Sequence, residues 1–175
     1  MILNSQDGLP HDDALQRRLA QWTAAVKASG VKLTHQRLEI FRELAANEEH
    51  PDVETVFRAV RARVPTVSID TVYRTLWLLH ELGLITTLGP RRDGIRFDVN
   101  LERHHHFVCV RCGVVRDFMS DALCDLPLPS GLSGLGDVLD ARVEVRGVCA
   151  SCKSSDPSAS DRAEQTPSVG VIAHE

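Results

Sequence analysis

No apolar run in this chain approaches the roughly 18 consecutive residues that a membrane-spanning helix needs, so the sequence reads as having no membrane contact. The opening stretch Met1-Ile2-Leu3-Asn4-Ser5-Gln6-Asp7 has neither the basic start nor the apolar core of a secretory signal. That points to the cytoplasm, where thiols stay reduced, and the five cysteines then suggest metal binding or inert burial ahead of disulfides. No internal repeat is present. A positive overall charge is missing as well: the formal net charge is −4, which on its face argues against a nucleic-acid binder. The average hides a split. Residues 14–96 hold 13 Lys/Arg against 9 Asp/Glu, whereas residues 97–175 hold 7 against 12. A basic first half on an acidic second half suits a polyanion partner, although a small basic excess also suits a solvated face.

The 175 residues make one ordinary domain or two small ones. Residues 1–13 are polar, carry Gly8 and Pro10, and read as a flexible leader. Residues 153–175 are rich in Ser, Pro, Asp and Ala and lack the apolar surface needed to order themselves, so they read as a disordered tail. Between them the periodicity predicts four helices. The first runs from about Asp12 to Ala28 and stops at Ser29-Gly30. The second starts at Thr34 and carries Leu38, Phe41, Leu44 and Ala45 on one stripe. The third starts near Asp52 with Val53, Val56, Phe57 and Val60, and ends before Pro65. The fourth runs from near Ser68 to Leu82, with Ile69, Val72, Leu76 and Leu79 as its buried stripe and Arg74 almost opposite. Leu84–Leu88 and Gly94–Val99 then read as two short strands around the turn at residues 89–93. Three helices followed by a β-hairpin is the winged-helix order, whose last helix reads DNA. A small α/β domain with an idle polar helix face fits the same pattern. After residue 100 the chain reads mostly as strand. Phe107–Val110 and Val114–Phe118 flank a Cys-x-x-Cys turn, residues 120–135 form a short helix or loop, and Leu139–Val148 alternates.

The strongest chemical signal is Cys109-x-x-Cys112 with Cys149-x-x-Cys152. Two such turns present four sulfurs to one ion, and Zn²⁺ accepts four soft ligands in tetrahedral geometry. Cys124 is left over, as an idle or buried thiol. A second signal is the run Arg103-His104-His105-His106. On a strand His104 and His106 share a face and His105 points away. Asp98 lies just upstream, Asp117 lies on the partner strand, and His50 at the turn before the third helix could add an imidazole. Such a set suits Fe²⁺, Mn²⁺ or Zn²⁺, and a histidine-rich surface edge is the plainer alternative.

Taken together, Gly30-Val-Lys-Leu-Thr-His-Gln-Arg37, His50, Asp70-Thr-Val-Tyr-Arg-Thr75, Arg96-Phe-Asp98, the His104/His106 pair and the two Cys-x-x-Cys turns resemble the ferric uptake regulator superfamily, in family order from about residue 15 to 152. The resemblance implies an α+β protein. Residues 14–94 would be a winged-helix DNA-binding domain, and residues 95–152 an α/β dimerisation domain with a four-cysteine zinc site. It implies a homodimeric, metal-dependent transcriptional repressor that binds a palindromic operator in double-stranded DNA, and not an enzyme. Its regulatory site would be His50, Asp98, His104, His106 and Asp117, holding Fe²⁺ or Mn²⁺. Asp at both carboxylate positions resembles the peroxide-stress repressors, which lose operator binding when an iron-ligating imidazole is oxidised. The alternatives are an iron-, zinc- or manganese-uptake repressor and, remotely, a metal-dependent enzyme. Counted without gaps, the family's second metal site falls on Arg103, His105, Cys124 and Ala141, a poor ligand set. On DNA, Tyr73 and Arg74 would reach base edges, Thr71 and Arg37 would hold phosphates, and Lys32 would approach the backbone or minor groove. Arg91, Arg92 and Arg96 are further phosphate candidates.

Overall fold

A computed structural model of the chain describes residues 11–89, 94–127, 129–138 and 141–155. Residues 1–10 of the leader, the turn at 90–93 with Arg91 and Arg92, and the tail from 156 onward lie outside the described residues, while residues 11–13, read as leader, begin the first helix. The four expected helices are α1 (His11–Ala28), α2 (His35–Ala45), α3 (Val53–Arg63) and α4 (Ile69–Glu81). Local chemistry sets their ends. Thr34, Asp52 and Ser68 each sit in extended backbone and accept a hydrogen bond from the N–H three residues on, at Arg37, Thr55 and Thr71. Gly30 and Gly83, with φ of +77° and +67°, supply the left-handed residue that terminates α1 and α4.

The helices pack around Trp22, Ile40, Phe41, Leu44, Val56, Val60, Val72, Leu76 and Leu79, all essentially inaccessible. Trp22 meets Phe41 edge-on, with ring centroids 6.0 Å apart, which adds to their area burial. Ile69 departs from the expectation: it is 47% exposed. It is the first residue of α4, one turn before the core begins at Val72, and the half-turn that holds it overhangs the packed layer. Thr75 takes the inward place instead, with its hydroxyl donating to the Thr71 carbonyl at 2.6 Å.

Two short strands, β1 (Thr86–Leu88) and β2 (Arg96–Asp98), form an antiparallel hairpin in which Thr86 opposes Asp98. Phe97 enters the helical core. The Phe97 N–H donates to the Pro51 carbonyl at 3.0 Å, which ties the hairpin to the turn before α3. The second half is a three-stranded sheet in the order β4-β3-β5. Here β3 (His105–Cys109) pairs antiparallel with β4 (Val115–Phe118) and parallel with β5 (Glu144–Gly147). Between β4 and β5 lie the short α5 (Asp121–Cys124) and a 3₁₀ turn at Ser130–Gly134, and α6 (Ala150–Ser154) follows β5. Helix α6 therefore carries regular structure past Cys152, into the start of the stretch read as tail.

Candidate metal centres and nucleic-acid face

The parallel pairing of β3 and β5 assembles the four cysteines. Cys109 at the end of β3 is in register with Gly147, and the Val110 N–H donates to the Gly147 carbonyl at 2.8 Å. Both strands thus finish side by side, and each runs straight into its Cys-x-x-Cys turn. Gly147 lets the Phe107 ring lie against this rung, since a Cβ there would be 2.8 Å from Phe107 Cε2 and would push the ring aside. The four sulfurs all lie within 4.8 Å of one another. Cys112 Sγ and Cys149 Sγ are 3.7 Å apart, far beyond a disulfide and close to the ~3.8 Å edge of a tetrahedron with Zn–S bonds of about 2.3 Å. Backbone N–H groups of Cys149 and Cys112 pull the Cys109 thiol down to about 6, while hydrogen bonding with the Cys112 and Cys149 thiols pushes Cys152 up to about 12. One easily formed thiolate crowded by three further sulfurs is a donor set that a dication neutralises.

The histidine set forms where the two halves meet. His106 on β3 stands directly opposite Asp117 on β4, and His104 shares the His106 face two residues earlier. The Nε2 atoms of His104 and His106 are 2.7 Å apart. From the other half comes His50, 3% exposed, with Nε2 at 2.9 Å from Asp117 Oδ1. These four side chains present ligand atoms that all lie within 4.8 Å of one another. Two ligands each about 2.1 Å from one ion sit roughly 3.0–3.5 Å apart at 90–109°, and separations of 2.7 Å (His104–His106), 2.9 Å (His50–Asp117), 3.5 Å (His106–Asp117) and 3.7 Å (His104–Asp117) bracket that range. Asp98 flanks the four, with Oδ2 at 3.0 Å from His104 Nε2 and 3.4 Å from His106 Nε2. Its Oδ1 accepts the Asn100 N–H at 2.8 Å. The orientation also fits: His104 Nδ1 faces the Glu102 carbonyl at 2.7 Å, a contact that places the proton on Nδ1 and leaves the Nε2 lone pair for a metal.

Electrostatics agree. Burial pushes the Asp98 carboxyl up, but its close contacts with the His104 and His106 imidazoles and the Asn100 N–H more than offset it and hold the group well below the usual carboxylate range. Asp117 is likewise penalised by burial and lowered on balance by its hydrogen bond with His50. The Asp98 carboxylate raises His104. The pocket is buried and negative, and it stabilises added positive charge.

His50 reaches this place through its backbone. Its φ is +54°, in the left-handed region that a residue with a side chain enters at some cost. Arg96 Nη1 donates to the His50 carbonyl at 3.2 Å, which braces the turn from β2. This corrects one expectation. Arg96 is half-buried and turned inward on the His50 turn, where it supports a ligand instead of facing phosphate. His105, as expected, points away from the site. It is 2% exposed and lies 3.5 Å from Cys124 Sγ through Nε2. Arg103 donates to the Cys124 carbonyl at 2.6 Å, and a backbone-bound guanidinium occupies that end of the second, ligand-poor set.

Along α4, Tyr73 is 49% exposed and Arg74 points to solvent, its Nε 2.9 Å from Asp70 Oδ2. Thr71 shares a hydrogen bond with the capping Ser68 hydroxyl at 2.9 Å. Lys32 is exposed, and Arg37 Nη1 donates to its carbonyl. Three of these five residues lie on α4, Arg37 lies in the first turn of α2 and Lys32 lies in the loop before it. Sequence reasoning missed Arg142, whose Nη1 lies 3.5 Å from Asp98 Oδ2. The alternation over Leu139–Val148 sets Arg142, Glu144 and Arg146 on one face of the strand and carries no sign of what that face meets.

The model of the ferric uptake regulator family matches residues 28–127. The chain belongs to this family. Its members are metal-responsive transcriptional regulators that bind DNA, and the enzyme alternative falls away. Among curated relatives, the peroxide-responsive repressor of Staphylococcus epidermidis (strain ATCC 12228 / FDA PCI 1200) is 29% identical over 141 residues, covering 81% of this chain and 94% of that protein. Among solved structures, the Helicobacter pylori ferric uptake regulator shares the fold at TM-score 0.66 and 22% identity, over 79% of this chain and 93% of that one. A zinc-bound manganese uptake regulator matches at TM-score 0.57 and 29% identity, over 78% and 98%.

Proposed function

We propose that this protein is a homodimeric repressor that grips a palindromic operator when an ion joins its two halves, and that peroxide releases it. The observation that carries this reading is the convergence of His50, from the turn before α3, with His104, His106 and Asp117 of the sheet. With Asp98 these are the regulatory ligands, for Fe²⁺ or Mn²⁺, and Cys109, Cys112, Cys149 and Cys152 hold a structural Zn²⁺. Residues 14–94 act as the DNA-binding unit and 95–152 as the dimerisation unit. Leu135, Val138, Val145 and Val148 are large apolar side chains left exposed in the second unit, and a second copy covers such surface. Reduced thiols fit work in the cytoplasm. No helix among the described residues is long and apolar enough to cross a membrane.

Fe²⁺ held by these ligands would give one electron to peroxide and take one back from the oxidised ring, so that one peroxide leaves one oxygen on an imidazole carbon and one water, the displaced ring proton going to hydroxide. The chain's part is to keep the His50 and His104 imidazoles within the buried cluster, so that the oxidant meets one of them first. An imidazole that gains an oxygen is a poor donor. The turn and the sheet then lose their common anchor, and the dimer leaves the geometry that fits adjacent turns of the operator. On α4, Tyr73 and Arg74 meet base edges, with Thr71, Arg37 and Lys32 on the backbone.

Peroxide treatment of the Fe²⁺-loaded protein tests this. One added oxygen on His50 or His104, seen by peptide mass spectrometry together with loss of operator binding, is the expected result. The Mn²⁺-loaded protein should show neither. A second reading, repression set by manganese or iron level, is favoured by the equal identity to a manganese uptake regulator, and operator binding unaffected by peroxide would select it.

A further inference from the structure

Arg142 makes a contact that neither the metal ligands nor the DNA face explains. It precedes β5 beside Val143, whose carbonyl accepts from the His106 N–H at 3.1 Å and whose own N–H faces His105 Nδ1 at 3.4 Å. The base of Arg142 is therefore fixed in the C-terminal sheet next to two consecutive histidines. Its guanidinium crosses to the other half. Nη1 donates to Thr86 Oγ1 at 3.0 Å and lies 3.5 Å from Asp98 Oδ2. Thr86 and Asp98 oppose each other in the hairpin register, so one side chain spans both hairpin strands at a single rung. The contact is sheltered: the Arg142 side chain is 24% exposed and Asp98 2%. Charge-assisted contacts in such a setting are stronger and less screened than surface pairs.

We infer that Arg142 is a positioning residue that straps the β1–β2 hairpin to the C-terminal sheet and aims the Asp98 carboxylate at the site formed by His104 and His106. The inference rests on the metal-site reading above. Because a guanidinium keeps its charge at any pH a protein tolerates, the strap does not wait for the ion. It prearranges the hairpin and one carboxylate, and ion binding then adds His50 and its turn to a joint already made. A single nitrogen, Nη1, meets both the hydroxyl and the carboxylate, so a shorter ammonium at this position keeps the charge and recovers part of the contact.

Amide hydrogen exchange read by mass spectrometry on the full zinc-loaded chain, with and without Mn²⁺, tests the strap. In R142M without Mn²⁺, peptides covering 86–88 and 96–98 should exchange about tenfold faster, the effect of losing one buried charge-assisted contact, while the core of α1–α4 exchanges as in the parent. T86V should show a smaller acceleration, and R142K should restore part of the protection. Mn²⁺ should bind R142M several-fold more weakly. Unchanged hairpin exchange in R142M overturns the strap, and so does acceleration spread equally through α1–α4, which would make Arg142 a general support of the fold. If Mn²⁺ binds neither the parent nor the variant, the metal-site reading fails, while the exchange in ion-free protein still decides the strap.

Discussion

His50 is the one described non-glycine residue with positive φ, a conformation costing about 1–3 kcal/mol that its surroundings must offset. They do so with the Arg96 bond to its carbonyl and the buried Pro51 beside it. Other single residues carry separable loads. Glu39 on α2 is almost buried and bonded by Arg42 and Arg63. Burial raises its carboxyl, and the two guanidiniums lower it on balance. A lowered folded-state pKa contributes stability that is present above the unfolded value and disappears as pH falls through the folded one. E39Q should therefore lose about 1 kcal/mol of unfolding free energy at neutral pH, and its gap from the parent should close below about pH 4. Urea titrations followed by fluorescence of Trp22 and Trp77 read both. Cys149 has two roles, as ligand and as the cap accepting the Cys152 N–H at 3.5 Å. In C149S the hydroxyl keeps the cap and the soft ligand is gone, so zinc content by atomic emission should fall from one ion per chain to nearly none.

Among the elements, the helices were legible because their start signals are local: each of Thr34, Asp52 and Ser68 finds its partner three residues away, and a short window of sequence contains both. Ile69 misled for the same reason, since periodicity continues past the point where the partner helices stop covering it. The parallel β3–β5 ladder was not legible. It pairs His106 with Glu144 and Cys109 with Gly147, and pairing across so long a span depends on the intervening chain, not on local pattern. The inward turn of Arg96, the left-handed backbone at His50 and the reach of Arg142 to Thr86 are likewise tertiary facts. The cysteine and histidine spacings were legible as chemistry, and the ladder adds why they meet. G147A tests that ladder. The added methyl collides with the Phe107 ring and should cost about 1–3 kcal/mol, visible as faster zinc release to a chelator with the helical half unaffected.

At the scale of the whole molecule, the turn before α3, the hairpin and the C-terminal sheet share one buried cluster, and α4 meets the hairpin through Trp77 on Phe97, the neighbour of Asp98. On the proposed reading, an ion in that cluster would bias the position of α4, and by reciprocity operator DNA would tighten ion binding by the same factor. The DNA face separates cleanly from the site. Arg74 is exposed and pairs with Asp70, itself exposed, so R74A should leave stability and Mn²⁺ affinity alone. Operator affinity should drop roughly 10–100-fold, the worth of one base-reading arginine, as measured by fluorescence anisotropy. The coupling itself is tested most directly by operator affinity of the zinc-loaded protein with and without Mn²⁺, in the parent and in H50N, where Asn tolerates the left-handed backbone but removes the imidazole. Mn²⁺ should tighten operator binding by the parent at least about tenfold and leave H50N unmoved. Equal tightening in both proteins, or none in the parent, would contradict an ion that joins the two halves.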